Sequence, residues 1–175
     1  RQLQGLYEKG PDAQLGYTFP TLLTEYVMKN THVPVGPWRG VNTNQNGIFM
    51  ECFMDECAKA AGKDPVQFRQ ALMQSHPKHL GVLNAAAKKA NWDKPLPPGN
   101  FRGVAQFMGY ASYSACVAEV SVQNNIVKIN RLVFALNSGH VVNPYLTREQ
   151  IEGSVAMALG GIFTPEISVE NGRIK

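Results

Sequence analysis

The side chain of this sequence best suited to holding a ligand is Arg39, set in the run Val35-Gly36-Pro37-Trp38-Arg39-Gly40 just ahead of a long amphipathic stretch. Pro37 fixes φ before Trp38, and the flanking glycines let another backbone or a bound molecule come close. The guanidinium offers a planar fork of donors that matches phosphate or carboxylate oxygens. The same turn can equally be structural, with Arg39 paired to a surface carboxylate or capping a turn. A second block, Gly139-His140-Val141-Val142-Asn143-Pro144, leads into Glu149-Gln150-Ile151-Glu152-Gly153. The amide of Gln150 donates and accepts together, which suits a pterin or purine edge if the residue is buried and is ordinary solvation if it is not.

Other reactive side chains carry less. Cys52, Cys57 and Cys116 are an odd number without CxxC spacing, so neither a disulfide framework nor a zinc site is indicated and buried free thiols are expected. His76 and His79 stand at i, i+3 beside Pro77 and read as a solvent-facing pair at a helix start. Glu119 lies within Ala118-Glu119-Val120 on the strand face opposite Val120, as a structural or an exposed carboxylate. Glu152 and Glu166 are expected to be structural.

The chain has 175 residues, 44% of them apolar, and a net charge of +4. That is enough to bury a real core. Lys and Arg are scattered, so the basic stripe with interleaved aromatics that nucleic acid requires is missing. No apolar run approaches the roughly 18 to 20 residues of a membrane span, and residues 1 to 20 lack a signal-peptide core. A soluble globular fold is expected, cut from a longer polypeptide, since the first residue is Arg1.

Residues 1 to 20 read as loop, and Leu22 to Lys29 and His32 to Val35 as extended segments bounded by Pro20 and Pro34. From Thr43 to about Ala61, Phe49, Cys52, Phe53, Cys57 and Ala60 recur at helical spacing, with Glu51, Asp55 and Lys59 opposite. Gly62 ends that helix, and Asp64-Pro65-Val66-Gln67 opens another in capping-box form. A third follows from Pro77, with Leu80, Leu83, Ala87 and Ala90 on one face. Pro95, Pro97 and Pro98 then make an extended connector. Phe101 to Tyr110 reads as a strand. Cys116 to Val122 reads as another, its apolar face Cys116, Ala118, Val120 and Val122, turning at Asn124-Asn125 into Ile126 to Leu136. Asn143-Pro144 starts a last helix to about Gly160, with Leu146, Ile151, Val155 and Leu159 as core contacts and the hairpin packed against it. Ile167 to Lys175 looks like a strand and turn. The fold class is α+β, a helical lobe (residues 1–92) plus antiparallel strands packed on a helix (residues 93–175), forming one compact unit.

These blocks resemble a known family. Val35 to Gly40, the helix with Glu51-Cys52-Phe53-Met54-Asp55-Glu56-Cys57-Ala58, then Ala61 to Pro65, Ala118 to Val122 and Gly139 to Gly153, are similar to the molybdenum-cofactor-binding large subunit of the xanthine dehydrogenase and aldehyde oxidoreductase family. The resemblance runs from about Tyr17 to Lys175 and is greatest to the beta chains of isoquinoline 1-oxidoreductases and to membrane-bound aldehyde dehydrogenases. No Gly-Gln-Gly segment lies between Gly40 and Gln150, which fits that branch, and no cysteine lies in Gly36 to Asn44, which disfavours the carbon monoxide dehydrogenases. Asn137-Ser138 and Asn124-Asn125 depart from the family pattern.

The resemblance implies a fragment of a molybdopterin-binding domain, in a molybdenum hydroxylase that oxidises an aldehyde or N-heterocycle carbon with water-derived oxygen. It implies that Trp38, Arg39 and Gly40 lie beside a molybdenum pyranopterin cofactor, in the cytosine dinucleotide form, and that Gln150 hydrogen-bonds the pterin. The family's glutamate base has no counterpart here, so the chain alone is expected to be inactive. Implied partners are the rest of the large subunit, a small subunit with iron-sulfur centres and a cytochrome acceptor. The resemblance favours a periplasmic or membrane-associated location over a cytoplasmic one. The competing reading is a non-enzymatic module with Trp38 and Arg39 as interface residues.

Overall fold

Short polar caps and prolines punctuate the helices. Asp64 accepts from the backbone N–H groups of Val66 and Gln67, with Pro65 at the first helical position. Asn143 does the same for Tyr145 and Leu146 ahead of Pro144. In the computed structural model, which describes residues 6, 15–30, 32–164 and 167–175, the elements are α1 (Thr43–Ala60), α2 (Pro65–Leu72), α3 (Pro77–Ala90), β1 (Asn100–Gly109), β2 (Ser112–Gln123), β3 (Ile126–Asn137), α4 (Pro144–Phe163), β4 (Val169–Glu170) and β5 (Arg173–Ile174). They form two compact units, one up to Ser138 and one from Gly139 to Lys175.

In the first unit β1, β2 and β3 make an antiparallel meander in that order. Both connections are two-residue turns with left-handed residues, Tyr110-Ala111 and, as expected, Asn124-Asn125 at φ 50° and 61°. That is the hand a twisted hairpin demands. The registry puts Glu119 between Arg102 and Arg131 on its neighbours, and Arg131 Nη1 lies 3.7 Å from Glu119 Oε1. Glu119 is thus a cross-strand charge partner. α3 packs across all three strands, α1 against β1 and α2, and α2 against α3. The small side chains of Ala86, Ala87 and Ala90 bring α3 close to the sheet around Leu83 and Val117, both fully buried. Each such Leu or Val contributes about 1.5 to 3 kcal/mol.

Several expectations are corrected. Within the first unit the helix that packs on the strands is α3. α4 buries no side chain: Leu146 is exposed, and Ile151, Val155 and Leu159 are half-buried. On α1 the buried residues are Asn46, Glu51, Met54 and Ala58, while Phe49 and Phe53 are 68% and 59% exposed. Glu51 turns inward because it has partners there, described below. On β2 the buried face is Tyr113, Ala115 and Val117, since it is this phase that meets α3. Cys116 on the other phase is half-buried, as is Cys57, and Cys52 is exposed. Leu22 to Lys29 and His32 to Val35 carry no strand. His79 is buried, 2.7 Å from Gln106 Oε1 through Nδ1 and edge-on to the Tyr113 ring.

In the second unit α4 is followed by the β4–β5 hairpin, turning at Asn171-Gly172 with both residues left-handed. Glu166 and most of residues 1 to 14 lie outside the described residues. No described helix is long and apolar enough to cross a membrane.

Candidate functional site

The Trp38–Asn42 turn is built by its own backbone. Val41 N–H donates to Trp38 O at 3.0 Å and Thr43 N–H to Gly40 O at 3.1 Å. Gly40 sits at φ +94°, and Val41 follows at φ 52°. The second value is uncommon for a β-branched residue and marks a turn constrained by its surroundings. The first residues of α1 supply the constraint: Thr43 Oγ1 also donates to Gly40 O, and Asn44 Nδ2 donates to Arg39 O at 2.5 Å. The start of α1 is seated on β1, where Gly47 meets Phe107 and Gly109 meets Thr43. A methyl group at Gly109 would come within 3.2 Å of Thr43 Cγ2. Trp38 is 62% exposed at the tip of this turn and Arg39 is exposed beside it.

About two turns further along α1, the helix is tied to the rest of the unit by a buried polar network. Glu51 Oε1 accepts from Tyr17 Oη at 2.6 Å and from Gln106 Nε2 at 3.2 Å. Its Oε2 accepts from Arg69 Nε at 3.0 Å and from Gln106 N–H at 2.9 Å. Arg69, fully buried, also donates to Asp55 Oδ1, Glu51 O and Pro65 O. Burial pushes the Glu51 carboxyl up from its ordinary range, against the pull of Arg69, Tyr17 and the Gln106 backbone. With four donors converging on it, the group is an acceptor-only carboxylate. Burial works against the charge on Arg69, and Glu51, Tyr17 and Asp55 together outweigh it, holding the guanidinium above its ordinary value. The Tyr17 hydroxyl is held well above 10.0 by burial first and the Glu51 charge second. Among the described residues no buried side-chain polar atom lacks a partner, so the network is a closed structural clamp between α1, α2, β1 and the Leu15–Thr18 segment.

This clamp is hidden in the sequence because its members come from positions 17, 51, 69, 79 and 106. One signal was available: Arg69 falls on the stripe of Val66 and Met73, both buried, where an arginine must be paired. Gln150 lies on α4 in the second unit, exposed, its carbonyl accepting from Ser154 Oγ at 2.6 Å. The structure thus assembles Trp38, Arg39 and Gly40 as one turn and places Gln150 in the other unit. A shallow groove of about 620 Å³ between α2 and α3, lined by Asp64, Gln70, Asn84 and Trp92, takes in none of them. Among the described residues no three His, Cys, Asp or Glu side chains are grouped to hold a metal.

Residues 48–175 match the family model described as the molybdopterin cofactor-binding domain. The chain belongs to this family. It is 31% identical over 155 residues to a nicotinate dehydrogenase subunit of Pseudomonas putida, covering 78% of this chain and 13% of that protein. It is 28% identical to the membrane-bound aldehyde dehydrogenase (pyrroloquinoline-quinone) of Gluconacetobacter polyoxogenes, covering 77% of this chain and 20% of that one. With the beta chain of isoquinoline 1-oxidoreductase from Brevundimonas diminuta the identity is 25%, over 90% of this chain and 21% of the relative. No solved structure matches the chain. The chain therefore spans between 13% and 21% of the length of these three relatives. The matched part of this molybdopterin cofactor-binding domain begins inside α1 and contains Gln150, whereas the Trp38–Gly40 turn precedes it.

The donor set of the turn fits an anionic cofactor. Arg39 is an exposed residue on a turn held by two side chains, and a Cβ added at Gly36 would meet nothing within 4 Å. Space for a close approach is therefore built in.

Proposed function

We propose that this chain is the cofactor-holding part of the large subunit of a molybdenum-dependent oxidoreductase, one that hydroxylates an aldehyde or N-heterocycle carbon with water-derived oxygen. When bound, the molybdenum pyranopterin cofactor supplies the oxygen-atom and electron chemistry, and the protein supplies binding and orientation. Arg39 supplies charge-assisted donors to the oxygens of the cofactor, with Trp38 beside it and Gly40 giving the turn the left-handed backbone that presents them. Gln150 contributes a neutral hydrogen bond to the pterin. The cytosine dinucleotide form suits this branch. A glutamate base from another part of the enzyme, rather than any residue here, takes the proton. The partners this reading implies are a small subunit whose iron-sulfur centres would accept the electrons, and a cytochrome acceptor. Residues 1–175 by themselves have no aldehyde- or N-heterocycle-oxidising activity on this reading.

The observation that carries the proposal is the rigid, exposed arginine turn in a chain of the molybdopterin cofactor-binding family. Family membership also favours the enzyme over a bare interaction module. The test is Arg39→Ala in the enzyme that carries this chain, measuring molybdenum per protein together with the thermal midpoint. Losing a charge-assisted contact of about 1.5 to 3 kcal/mol should cut cofactor retention while the backbone turn and the midpoint persist. A sharply lower midpoint with full metal content would make Arg39 a structural residue. Gln150→Ala should act in the same direction and more weakly.

A further inference from the structure

We infer that Asn44 is a positioning residue for Arg39, its side chain seated where a Cβ at position 40 would stand. The inference rests on the reading of Arg39 as a cofactor ligand and adds to it the device that aims the guanidinium. Asn44 Nδ2 donates to the carbonyl of Arg39 itself, at 2.5 Å. That bond fixes the peptide plane on the C-terminal side of Arg39, and with it the direction in which the arginine leaves the turn. The two residues are held at a constant spacing because Asn44 is already in the first turn of α1, a regular helix through Ala60.

Gly40 completes the arrangement. A Cβ built there would fall 2.2 Å from Asn44 Oδ1 and 2.9 Å from its Cγ, far inside van der Waals contact. Its φ of +94° already favours glycine. Space and backbone thus ask for the same residue, and the space is taken by the amide that holds Arg39. Thr43 braces the neighbouring peptide by donating to Gly40 O, leaving the Arg39 carbonyl to Asn44. Since Asn44 is exposed, its hydrogen bond is of little use to the stability of the fold, and the purpose of the contact is local geometry.

The experiment compares Asn44→Ala, Asn44→Asp, Arg39→Ala and the double variant Asn44→Ala/Arg39→Ala in the enzyme that carries this chain. Molybdenum and pterin per protein are measured alongside the thermal midpoint. Asn44→Ala should lower cofactor content about fivefold, the size of one neutral hydrogen bond, with the midpoint unmoved. Asn44→Asp keeps the shape, loses the donor and adds a negative charge, and should lose at least as much. In the Arg39→Ala background Asn44→Ala should add nothing, because its effect passes through the arginine. Full cofactor content in Asn44→Asp, or a loss that adds in full to that of Arg39→Ala, would overturn the positioning role while leaving Arg39 as a ligand. A neutral Arg39→Ala would overturn the ligand reading and this inference with it.

Discussion

Removing the guanidinium of Arg69 would strand the Glu51 carboxylate in the interior with only Tyr17 and Gln106 as donors. Breaking a buried ion pair by deleting one partner costs about 3 to 5 kcal/mol. Arg69→Met should therefore lower the unfolding free energy of the first unit, read from urea titration, by an amount of that order, whereas changing an exposed arginine such as Arg39 should leave it in place. The Tyr17 hydroxyl makes a separate prediction for alkaline pH. Its folded pKa lies well above 10.0, raised by burial and the Glu51 charge. A group raised in this way contributes stability that is fully present below the unfolded value and lost as pH rises towards the folded one. Between those limits the unfolded chain gives up a proton that the folded chain retains, and each pH unit removes about 1.4 kcal/mol. Stability measured by urea unfolding should fall with that added slope above pH 10, and Tyr17→Phe should remove the added slope. An unchanged slope in Tyr17→Phe would show that the hydroxyl is not the titrating group.

At the scale of elements, α2 depends on one carboxylate. Asp64 caps it through Oδ1 and accepts the Trp92 indole N–H through Oδ2 at 2.9 Å. Asp64→Ala should thus cost more than an ordinary cap, about 2 kcal/mol or above, and shift the fluorescence of Trp92, read in the same thermal scan. This cap was legible from Asp64-Pro65 alone, as were the starts of α3 and α4 at Pro77 and Pro144 and the Asn124-Asn125 turn. Each of those signals is local, a property of two or three adjacent residues. Which face of an element is buried is not local. α1 presents Phe49 and Phe53 on one side and Glu51 and Met54 on another, and its apolar pattern favours the wrong side. Arg69 and Gln106, 18 and 55 residues away, decide the matter. In β2 both phases are apolar, so alternation could not choose between Val117 and Val120. The segments 22–29 and 32–35 have strand-like composition and lack a paired edge, which no local pattern reveals.

For the whole molecule, family and fold class were legible in the blocks around Arg39, Glu51 and Gly139 to Gly153, and in the order of helices, strands and helix. The chain divides into its two compact units at Ser138–Gly139. The turn and Gln150 stand in separate units. The most direct measurement is the molybdenum and pterin content of the purified enzyme that carries this chain, by elemental analysis and by fluorescence of the oxidised pterin. The account predicts about one molybdenum and one pterin per copy, bound through gel filtration. A natively folded enzyme that carries neither, and takes up neither on maturation with excess molybdate and cofactor, would contradict it.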